Sequence, residues 1–187
     1  VLALIFYFRH RIVAAAEDII IDKDYRLARN ILAAMLPAGI VGFLFASIIE
    51  ESAFFGSVWT VVVTLFVVGV VMVVLEKLPK LSSIKDLEDL PIPRAFVIGL
   101  VQIIALIPGV SRSGSTIIAG RIMGMSAAAA AEFSFLVSIP IMLGVIAKLI
   151  IKSSDRSYFL QHVDTLVIGN IAAFVSGLLA VGFLMRY

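Results

Sequence analysis

The feature that most constrains this chain is its long runs of residues without a charge. Residues 31–49, 57–75 and 165–185 contain no Asp, Glu, Lys or Arg. A helix rises about 1.5 Å per residue and the hydrocarbon core of a bilayer is about 30 Å thick, so about 20 apolar residues make one membrane-spanning helix. Of all 187 residues, 61% are hydrophobic and only 15% are charged. These values exclude a soluble enzyme, a nucleic-acid-binding module and a disordered tail, and they predict an all-α polytopic integral membrane protein that contacts the lipid bilayer.

The order of the segments predicts one membrane domain that is only partly present. The apolar start, 1–8, is too short to cross a bilayer, and the chain does not begin with Met. We therefore expect a fragment. The predicted segments are the end of a truncated span at 1–9, a cytoplasmic loop with an interfacial helix at 12–29, spans at 30–49 and 57–76, a re-entrant hairpin at 94–125, and spans at 127–151 and 165–185.

The distribution of basic residues predicts which loops face the cytoplasm. Residues 9–29 contain five Lys or Arg and residues 77–94 contain four, whereas residues 50–56 contain none. Short basic loops stay in the cytoplasm, so the first two segments are expected inside and the third outside. The chain has no Cys and only two His, His10 and His162, which lie in or beside loops. We expect no metal ligands from these residues.

Residues 94–125 differ from the other apolar segments because a polar break interrupts them. The charge-free stretch 95–111 contains Pro108 and Gly109 near its end, and Arg112 follows it. A second, short apolar stretch then leads to Arg121. Two half-helices around a polar break are typical of a re-entrant hairpin, because non-helical backbone at membrane depth needs protein or a wet cavity around it.

The break itself contains a group of residues suited to binding phosphate. Arg112 presents a planar fork of donors that matches phosphate oxygens, and arginine is costly at membrane depth without a partner. Gly109 and Gly114 are expected to adopt positive φ and to let the backbone approach a ligand. A helix beginning near residues 113–115 would add its free N–H groups and its positive dipole end. Four hydroxyls accompany the arginine within six residues: Ser111, Ser113, Ser115 and Thr116.

Two other interpretations of the same residues remain open at this point. Residues 109–116 approach the spacing of a nucleotide-binding P-loop, but the lysine is absent and membrane segments flank the motif, which argues against an NTPase. The segment could also be a loop at the membrane surface, with Arg112 extended toward lipid headgroups. From the residues alone, this second interpretation is as good as a phosphate site.

The wider pattern resembles the second signature of the bacterial undecaprenyl-pyrophosphate phosphatase family. The sequence Pro-Gly-Val-Ser-Arg-Ser-Gly-Ser-Thr at 108–116 is followed by Ala-Glu-Phe-Ser-Phe-Leu at 131–136 and by Pro140. The order of spans, the sequence Met-Leu-Pro-Ala at 35–38 and the apolar approach at 95–108 extend the resemblance over essentially the whole chain. It implies a fold of six spans and two re-entrant hairpins in inverted repeats, in the bacterial inner membrane, with the site open to the extracytoplasmic side.

The resemblance also implies an activity. Such an enzyme hydrolyses undecaprenyl pyrophosphate to undecaprenyl phosphate, recycles this lipid carrier for peptidoglycan synthesis and confers bacitracin resistance. It implies a divalent cation, Mg²⁺ or Ca²⁺, whose acidic ligands belong to a first signature that we expect upstream of this chain. A final span is also expected after Tyr187, so the fragment alone is expected to be inactive and to hold no metal site. The expected partners are a polyprenyl pyrophosphate and the bilayer, without nucleic acid, and a homodimer stays open.

Roles follow for particular residues. We expect Arg112, Ser111 and Ser113 to act on the transferring phosphate. Glu132 is expected to support the site, by pairing with Arg121 or Arg112 or by helping to hold a metal, although a structural ion pair is the simpler role. Gln102 is expected either to face the cleft or to make an interhelical hydrogen bond. The residues expected to bind or shape the phosphate site are Gly109, Gly114, Thr116 and Gln102.

Two functions of other classes remain open alongside hydrolysis. A transporter or flippase for an anionic polyprenyl lipid could use the same broken helix and Arg112 without chemistry. A non-catalytic membrane scaffold would leave Arg112 as a residue that reaches the headgroups. Phosphate release and lipid movement distinguish these functions.

Overall fold

A computed structural model describes residues 1–45, 48–49, 52–77, 84–151 and 163–186. In this part of the chain nearly all regular structure is helical. The helices are α1 (Leu2–Tyr7), α2 (Arg9–Glu17), α3 (Arg26–Leu44), α4 (Ala53–Gly56), α5 (Val58–Lys77), α6 (Ile92–Gln102), α7 (Arg112–Ile122), α8 (Ala127–Ile151) and α9 (Val163–Arg186). A π-helical turn at Asp18–Asp22 and 3₁₀ turns at Leu87–Asp89 and Ile103–Leu106 complete them.

Within the described ranges, four helices are long and apolar enough to cross a membrane, which confirms the predicted all-α polytopic membrane fold. They are Arg26–Leu44, Val58–Leu75, Ala127–Lys148 and Val163–Arg186. Part of the predicted topology depends on loop residues that lie outside the described residues. These are Glu50, Glu51, Lys80, Lys152, Arg156 and His162.

Helix α3 begins earlier than the expected span. It starts at Arg26, inside the segment 12–29 that the sequence assigns to a cytoplasmic loop and interfacial helix. Asp24 accepts a hydrogen bond from the backbone N–H of Arg26 at 2.9 Å, and its carboxylate lies 2.8 Å from the Arg26 guanidinium. The hydrogen bonds from Arg26 lower the pKa of the Asp24 carboxyl below its ordinary value. This local pairing fixes the first turn of α3 ahead of the charge-free run.

The chain divides into two compact units, and each is described by itself. The terminal unit contains Val1–Lys23 and Ser138–Tyr187, and the central unit contains Asp24–Val137. In the terminal unit α1 packs along α9: the Phe6 and Phe174 rings meet edge to face with centroids 5.9 Å apart. A Cβ placed on Gly177 would lie 3.2 Å from the Ala3 Cβ. Small residues therefore let these two helices approach closely, as is common between membrane helices.

In the central unit α3 packs against α6 at a glycine. A Cβ placed on Gly99 would lie 2.5 Å from the carbonyl oxygen of Ala34 and 3.0 Å from its Cα. Ala34, Ala95 and Ile98 are completely buried at this contact. The two backbones touch here, and any side chain at position 99 must separate them.

Gly99→Ala is expected to lower the stability of the central unit by about 1–3 kcal/mol, because the added methyl meets backbone that cannot move aside. The measurement is the thermal unfolding midpoint in detergent. Gly39→Ala on α3 is the matched control, because a Cβ there has no neighbour within 4 Å. Equal midpoints for the two variants would argue against the close α3–α6 contact.

The two ends of the 94–125 segment lie side by side. The Arg94 guanidinium, near the start of α6, donates a hydrogen bond to the carbonyl of Met123, just after the end of α7, at 3.0 Å. Ile84 bridges to the same turn, donating to the carbonyl of Gly124 at 3.0 Å and accepting from Ser126 at 2.8 Å. Helices α6 and α7 therefore form a hairpin. Hydrogen bonds hold the start of α6 and the end of α7 next to each other.

A buried asparagine fixes the segment that holds the hairpin ends. The Asn30 side-chain amide donates to the carbonyl of Leu90 at 2.7 Å and is 3.4 Å from that of Leu87. Leu87 and Leu90 are themselves almost completely buried. Because the buried amide satisfies these carbonyls, the segment 84–90 is anchored to α3.

Candidate active site

The candidate site lies at the turn between the two arms of the hairpin. Helix α6 ends at Gln102, the 3₁₀ turn Ile103–Leu106 follows, and the backbone N–H of Val110 donates to the carbonyl of Ile107 at 3.1 Å. Gly109 has φ +88°, as predicted, and this positive φ reverses the chain direction. α7 then starts at Arg112, slightly earlier than the start expected near residues 113–115, so two half-helices flank a break that is shorter than the polar run 108–116.

Helix α5 supports this turn from behind. A Cβ placed on Gly109 would lie 2.6 Å from the carbonyl oxygen of Val61 and 2.8 Å from its Cα, and would also collide with the Thr64 hydroxyl. The Thr64 Oγ1 lies 2.8 Å from the carbonyl oxygen of Pro108, to which it can donate. The turn is therefore pressed against α5, where only glycine fits.

Thr64 is a residue that the sequence reasoning missed. It lies in a charge-free apolar run that the sequence predicts only as the membrane span 57–76. A threonine in such a helix ordinarily bonds a carbonyl in its own preceding turn, and Thr64 also lies 2.8 Å from the Thr60 carbonyl. Nothing in the local pattern indicates the contact with Pro108, 44 positions further along the chain.

Two serines organise the first turn of α7. Ser111 is the N-cap residue, and its side-chain oxygen accepts a hydrogen bond from the backbone N–H of Gly114 at 3.1 Å. The Ser113 hydroxyl lies 3.3 Å from the Ser111 hydroxyl. Among the described residues, the backbone N–H groups of Arg112 and Ser113 have no hydrogen-bond acceptor. The positive end of the helix thus presents two free donors beside two hydroxyls.

Arg112 is half-buried at the same helix end, and one nitrogen of its guanidinium is unsatisfied. The Nη1 atom is buried and has no hydrogen-bond partner among the described residues. A buried donor without an acceptor costs about 1–3 kcal/mol, and more when it is charged. An anion accepting from Arg112 would remove this cost.

The expectation that Gly114 adopts positive φ is wrong. It lies within α7, because that helix begins at Arg112, and a Cβ there would lie 3.1 Å from the Ser111 Cβ. Positive φ among glycines of the described residues is confined to Gly109 and Gly124. Gly114 contributes its N–H to the cap and its small size to the packing around Ser111.

Thr116 and Ser115 point their hydroxyls at protein rather than at the turn. The Thr116 Oγ1 lies 3.0 Å from the carbonyl oxygen of Arg112 and 2.6 Å from the Ser134 hydroxyl on α8. The Ser115 hydroxyl donates to the same Arg112 carbonyl at 2.9 Å. Both residues are buried. Thr116 therefore ties α7 to α8 within the central unit, and Ser111 rather than Thr116 caps the helix.

Gln102 ends the first arm of the hairpin, and Glu132 lies on α8. Gln102 is only 3% exposed, and its side chain makes no hydrogen bond to any residue that the structure describes. Glu132 is half-buried on α8 and takes part in a polar or electrostatic interaction. Its expected pairing with Arg121 or Arg112 stays a prediction.

The described residues do not by themselves fit a divalent cation. No group of three or more Asp, Glu, His or Cys side chains lies close enough together, within the ranges the structure describes, to hold a metal ion. The turn offers hydroxyls, backbone N–H groups and a guanidinium, which bind anions.

Thr64→Val is expected to lower kcat/KM for any reaction at this turn by about tenfold, because the half-buried Pro108 carbonyl loses its donor from α5. Thr64→Ser retains the hydroxyl and is expected to restore most of the activity. The thermal unfolding midpoints of both variants provide the control. If Thr64 had a purely structural role, the midpoint would fall but the valine and serine proteins would have the same kcat/KM.

Fold and site together define a class of protein: an α-helical integral membrane protein with a broken helical hairpin, whose turn carries hydroxyls, free N–H groups and a guanidinium. A protein-family model described as bacitracin resistance protein BacA matches residues 1–187. The chain belongs to this family. The resemblance to the undecaprenyl-pyrophosphate phosphatases is thereby confirmed.

Curated relatives agree with this assignment. The chain is 39% identical over 166 residues to an undecaprenyl-diphosphatase of Aquifex aeolicus, covering 88% of this chain and 64% of the relative. It is 36% identical over 194 residues to undecaprenyl-diphosphatase 2 of Pseudomonas fluorescens, covering 100% of this chain and 67% of the relative. It is 37% identical over 191 residues to an undecaprenyl-diphosphatase of Neisseria meningitidis, covering 68% of it. The chain thus spans about two thirds of the length of these proteins.

Proposed function

We propose that the protein hydrolyses undecaprenyl pyrophosphate to undecaprenyl phosphate and inorganic phosphate. The observation that carries the proposal is the buried, unsatisfied Nη1 atom of Arg112 at the N-terminus of α7, in a chain whose relatives are named undecaprenyl-diphosphatases. The names of these relatives give no support to a transporter or flippase. A scaffold role does not account for a buried donor that lacks an acceptor.

The residues of the turn have distinct roles in this proposal. Arg112 binds the pyrophosphate and stabilises the negative charge on its oxygens in the transition state, which is the main requirement in phosphoryl transfer. The N–H groups of Arg112 and Ser113 and the hydroxyls of Ser111 and Ser113 orient the same oxygens. Neither serine has an imidazole or carboxylate among its hydrogen-bond partners in the described residues, so we assign them positioning rather than nucleophilic attack.

We propose further that residues 94–125 re-enter the membrane from one side. The hydrogen bond between Arg94 and Met123 supports this, since it holds both ends of the hairpin at one level. Each arm is also short: Ile92–Leu106 covers about 22 Å and Arg112–Ile122 about 16 Å, both less than the hydrocarbon core of about 30 Å.

The cellular setting belongs to the same proposal. We place the protein in the bacterial inner membrane, with the turn open to the extracytoplasmic side, where it recycles the lipid carrier for peptidoglycan synthesis and confers bacitracin resistance. The basic segment 9–29 supports a cytoplasmic location for that loop. A divalent cation, Mg²⁺ or Ca²⁺, and a homodimer complete the proposal, to be tested by chelation and by light scattering in detergent.

The direct test is release of inorganic phosphate from undecaprenyl pyrophosphate by the purified full-length protein in detergent with Mg²⁺ or Ca²⁺. Steady release that stops on adding a chelator is the expected result. A folded protein that releases no phosphate but moves the lipid between leaflets of a vesicle would overturn the proposal in favour of transport.

A further inference from the structure

Buried hydroxyls connect α8 to one peptide group in the first turn of α7. The Ser134 hydroxyl on α8 lies 2.6 Å from the Thr116 hydroxyl, which lies 3.0 Å from the carbonyl oxygen of Arg112. Ser115 donates a second hydrogen bond to the same carbonyl at 2.9 Å. The three hydroxyl-bearing residues are each at most 6% exposed. Two helices thus direct buried polar side chains at the Arg112 carbonyl, at the candidate site.

Close packing of α7 on α8 keeps the Ser134 hydroxyl in place. A Cβ placed on Gly120 of α7 would lie 3.1 Å from the Ala130 Cβ on α8. Ala130 lies one turn before Ser134 on the same face of α8, and it is 1% exposed. Gly120 likewise lies one turn after Thr116 on α7. The two helices therefore touch beside the hydroxyls, which leaves Ser134 little freedom to move away from Thr116.

The distances also indicate the direction of the hydrogen bonds, since each hydroxyl has a single hydrogen to donate. If Thr116 donated to Ser134, the Ser134 hydrogen would have only the Ser113 carbonyl, at 3.5 Å, which is too long for a good hydrogen bond. Donation from Ser134 to Thr116, and from Thr116 to the Arg112 carbonyl, uses distances of 2.6 and 3.0 Å. The Thr116 Oγ1 is also 3.1 Å from the Ser113 carbonyl, so its hydrogen lies between two carbonyls of the same turn.

The Arg112 carbonyl and the Ser113 N–H belong to the same peptide group. A hydrogen bond accepted by the carbonyl oxygen polarises that group and makes its N–H a stronger donor. The Ser113 N–H is one of the two free donors at the start of α7. The hydroxyls behind the helix therefore act on a donor that faces the candidate anion site.

We propose that Ser134 is a positioning residue of the phosphate site. Acting through Thr116, it orients the peptide group between Arg112 and Ser113 and strengthens the Ser113 N–H as a donor to a phosphate oxygen. Ser115 acts on the same carbonyl from within α7. This inference rests on the proposed function, in which the oxygen belongs to the pyrophosphate of the substrate.

A double-mutant cycle in the full-length protein tests the connection through Thr116. Polarisation strengthens a hydrogen bond by a fraction of its energy, so Ser134→Ala is expected to lower kcat/KM for phosphate release about fivefold. Thr116→Val removes the connecting hydroxyl and is expected to lower kcat/KM about tenfold. Because Ser134 acts through Thr116, adding Ser134→Ala to the Thr116→Val protein is expected to cause no further loss. A further fivefold loss would overturn the proposal.

Two conservative variants separate the hydroxyl from the packing of the helices. Thr116→Ser keeps the hydroxyl and is expected to retain most of the activity. Ser134→Cys keeps a side chain of similar shape with a weaker donor, so its kcat/KM is expected between those of the parent and the Ser134→Ala protein. This variant also serves if Ser134→Ala fails to fold. Full parental kcat/KM in a folded Ser134→Ala protein would contradict the proposal.

The Ser113 amide can be observed directly by nuclear magnetic resonance. Labelling with ¹³C-carbonyl arginine and ¹⁵N-serine selects serine amides that follow an arginine, which in this chain are Ser113 and Ser157. Ser157→Ala identifies the second signal. Inorganic phosphate is expected to shift the Ser113 amide proton downfield. Ser134→Ala is expected to raise the phosphate concentration at half of this shift about threefold, because the donor is weaker.

The two kinds of measurement separate this proposal from the hydrolase function. If the Ser113 amide responds to phosphate equally in the parent and Ser134→Ala proteins, the role of Ser134 is overturned, and phosphate release by the parent still supports the hydrolase. If the response weakens in the Ser134→Ala protein but the parent releases no phosphate from undecaprenyl pyrophosphate, the role of Ser134 is supported and the hydrolase function is contradicted.

Discussion

Replacing Arg112 with alanine is expected to lower kcat/KM for phosphate release by about 100-fold or more. The guanidinium is the only side-chain cation at the start of α7, and its Nη1 atom lacks a hydrogen-bond partner among the described residues. Removing one donor that stabilises developing charge in a water-poor site costs about 2.7–4 kcal/mol of transition-state stabilisation. The measurement is initial rate against substrate concentration, with the thermal unfolding midpoint recorded beside it.

Two further variants distinguish a phosphate-binding role from a general effect of charge. Arg121→Ala removes the same charge from the last turn of α7, away from the turn, and is expected to retain near-parental activity. Arg112→Lys keeps the charge but loses the planar fork of donors, so intermediate activity is expected. If the Arg112→Ala protein is folded and as active as the Arg121→Ala protein, Arg112 does not belong to the site.

Gly109→Ala is expected to lower activity about 100-fold while leaving most of the helical structure intact. At φ +88° the alanine is strained, and its Cβ would lie 2.6 Å from the Val61 carbonyl oxygen. The turn must then move away from α5 by about an ångström, and a displacement of this size in a catalytic group can cost about 10²-fold in rate. Phosphate release and circular dichroism measure the two effects.

Gly69→Ala on α5 provides the control, because a Cβ at that position has no neighbour within 4 Å. It is expected to keep full activity and to gain up to about 1 kcal/mol from better helix propensity. Trimming Thr64 to alanine is not expected to rescue Gly109→Ala, since the Val61 backbone still occupies the space. Full rescue would mean that the Thr64 side chain, and not the α5 backbone, sets the position of the turn.

The sequence predicts much of the fold because its strongest signals are local. Charge-free runs of about 20 residues require helices, and α5 and α9 follow them closely. The break in the hairpin is equally local: Pro108 and Gly109 disfavour helix, and the backbone reverses at Gly109. Arg112 could be selected as a candidate because an arginine between apolar half-helices is costly without a partner.

Contacts between distant parts of the chain could not be predicted from the sequence. Thr64 and Pro108 are 44 positions apart, and Arg94 and Met123 are 29 apart, so no periodicity links them. The placement of Gly114 is an instructive failure. Its freedom to adopt positive φ suggested a loop, but the side chain of Ser111 provides the cap that lets the helix begin before it.

The short arms of the hairpin also bear on how the protein is made. Neither Ile92–Leu106 nor Arg112–Ile122 is long enough to leave the translocon sideways into lipid as an independent transmembrane segment. In the polar turn between them, the Pro108 carbonyl has its hydrogen-bond donor on α5, the Thr64 hydroxyl, and Gly109 packs against Val61 of the same helix. We therefore expect the hairpin to enter the bilayer as a single element after α3 and α5 have been inserted. The helices would then be assembled in the order in which they are synthesised.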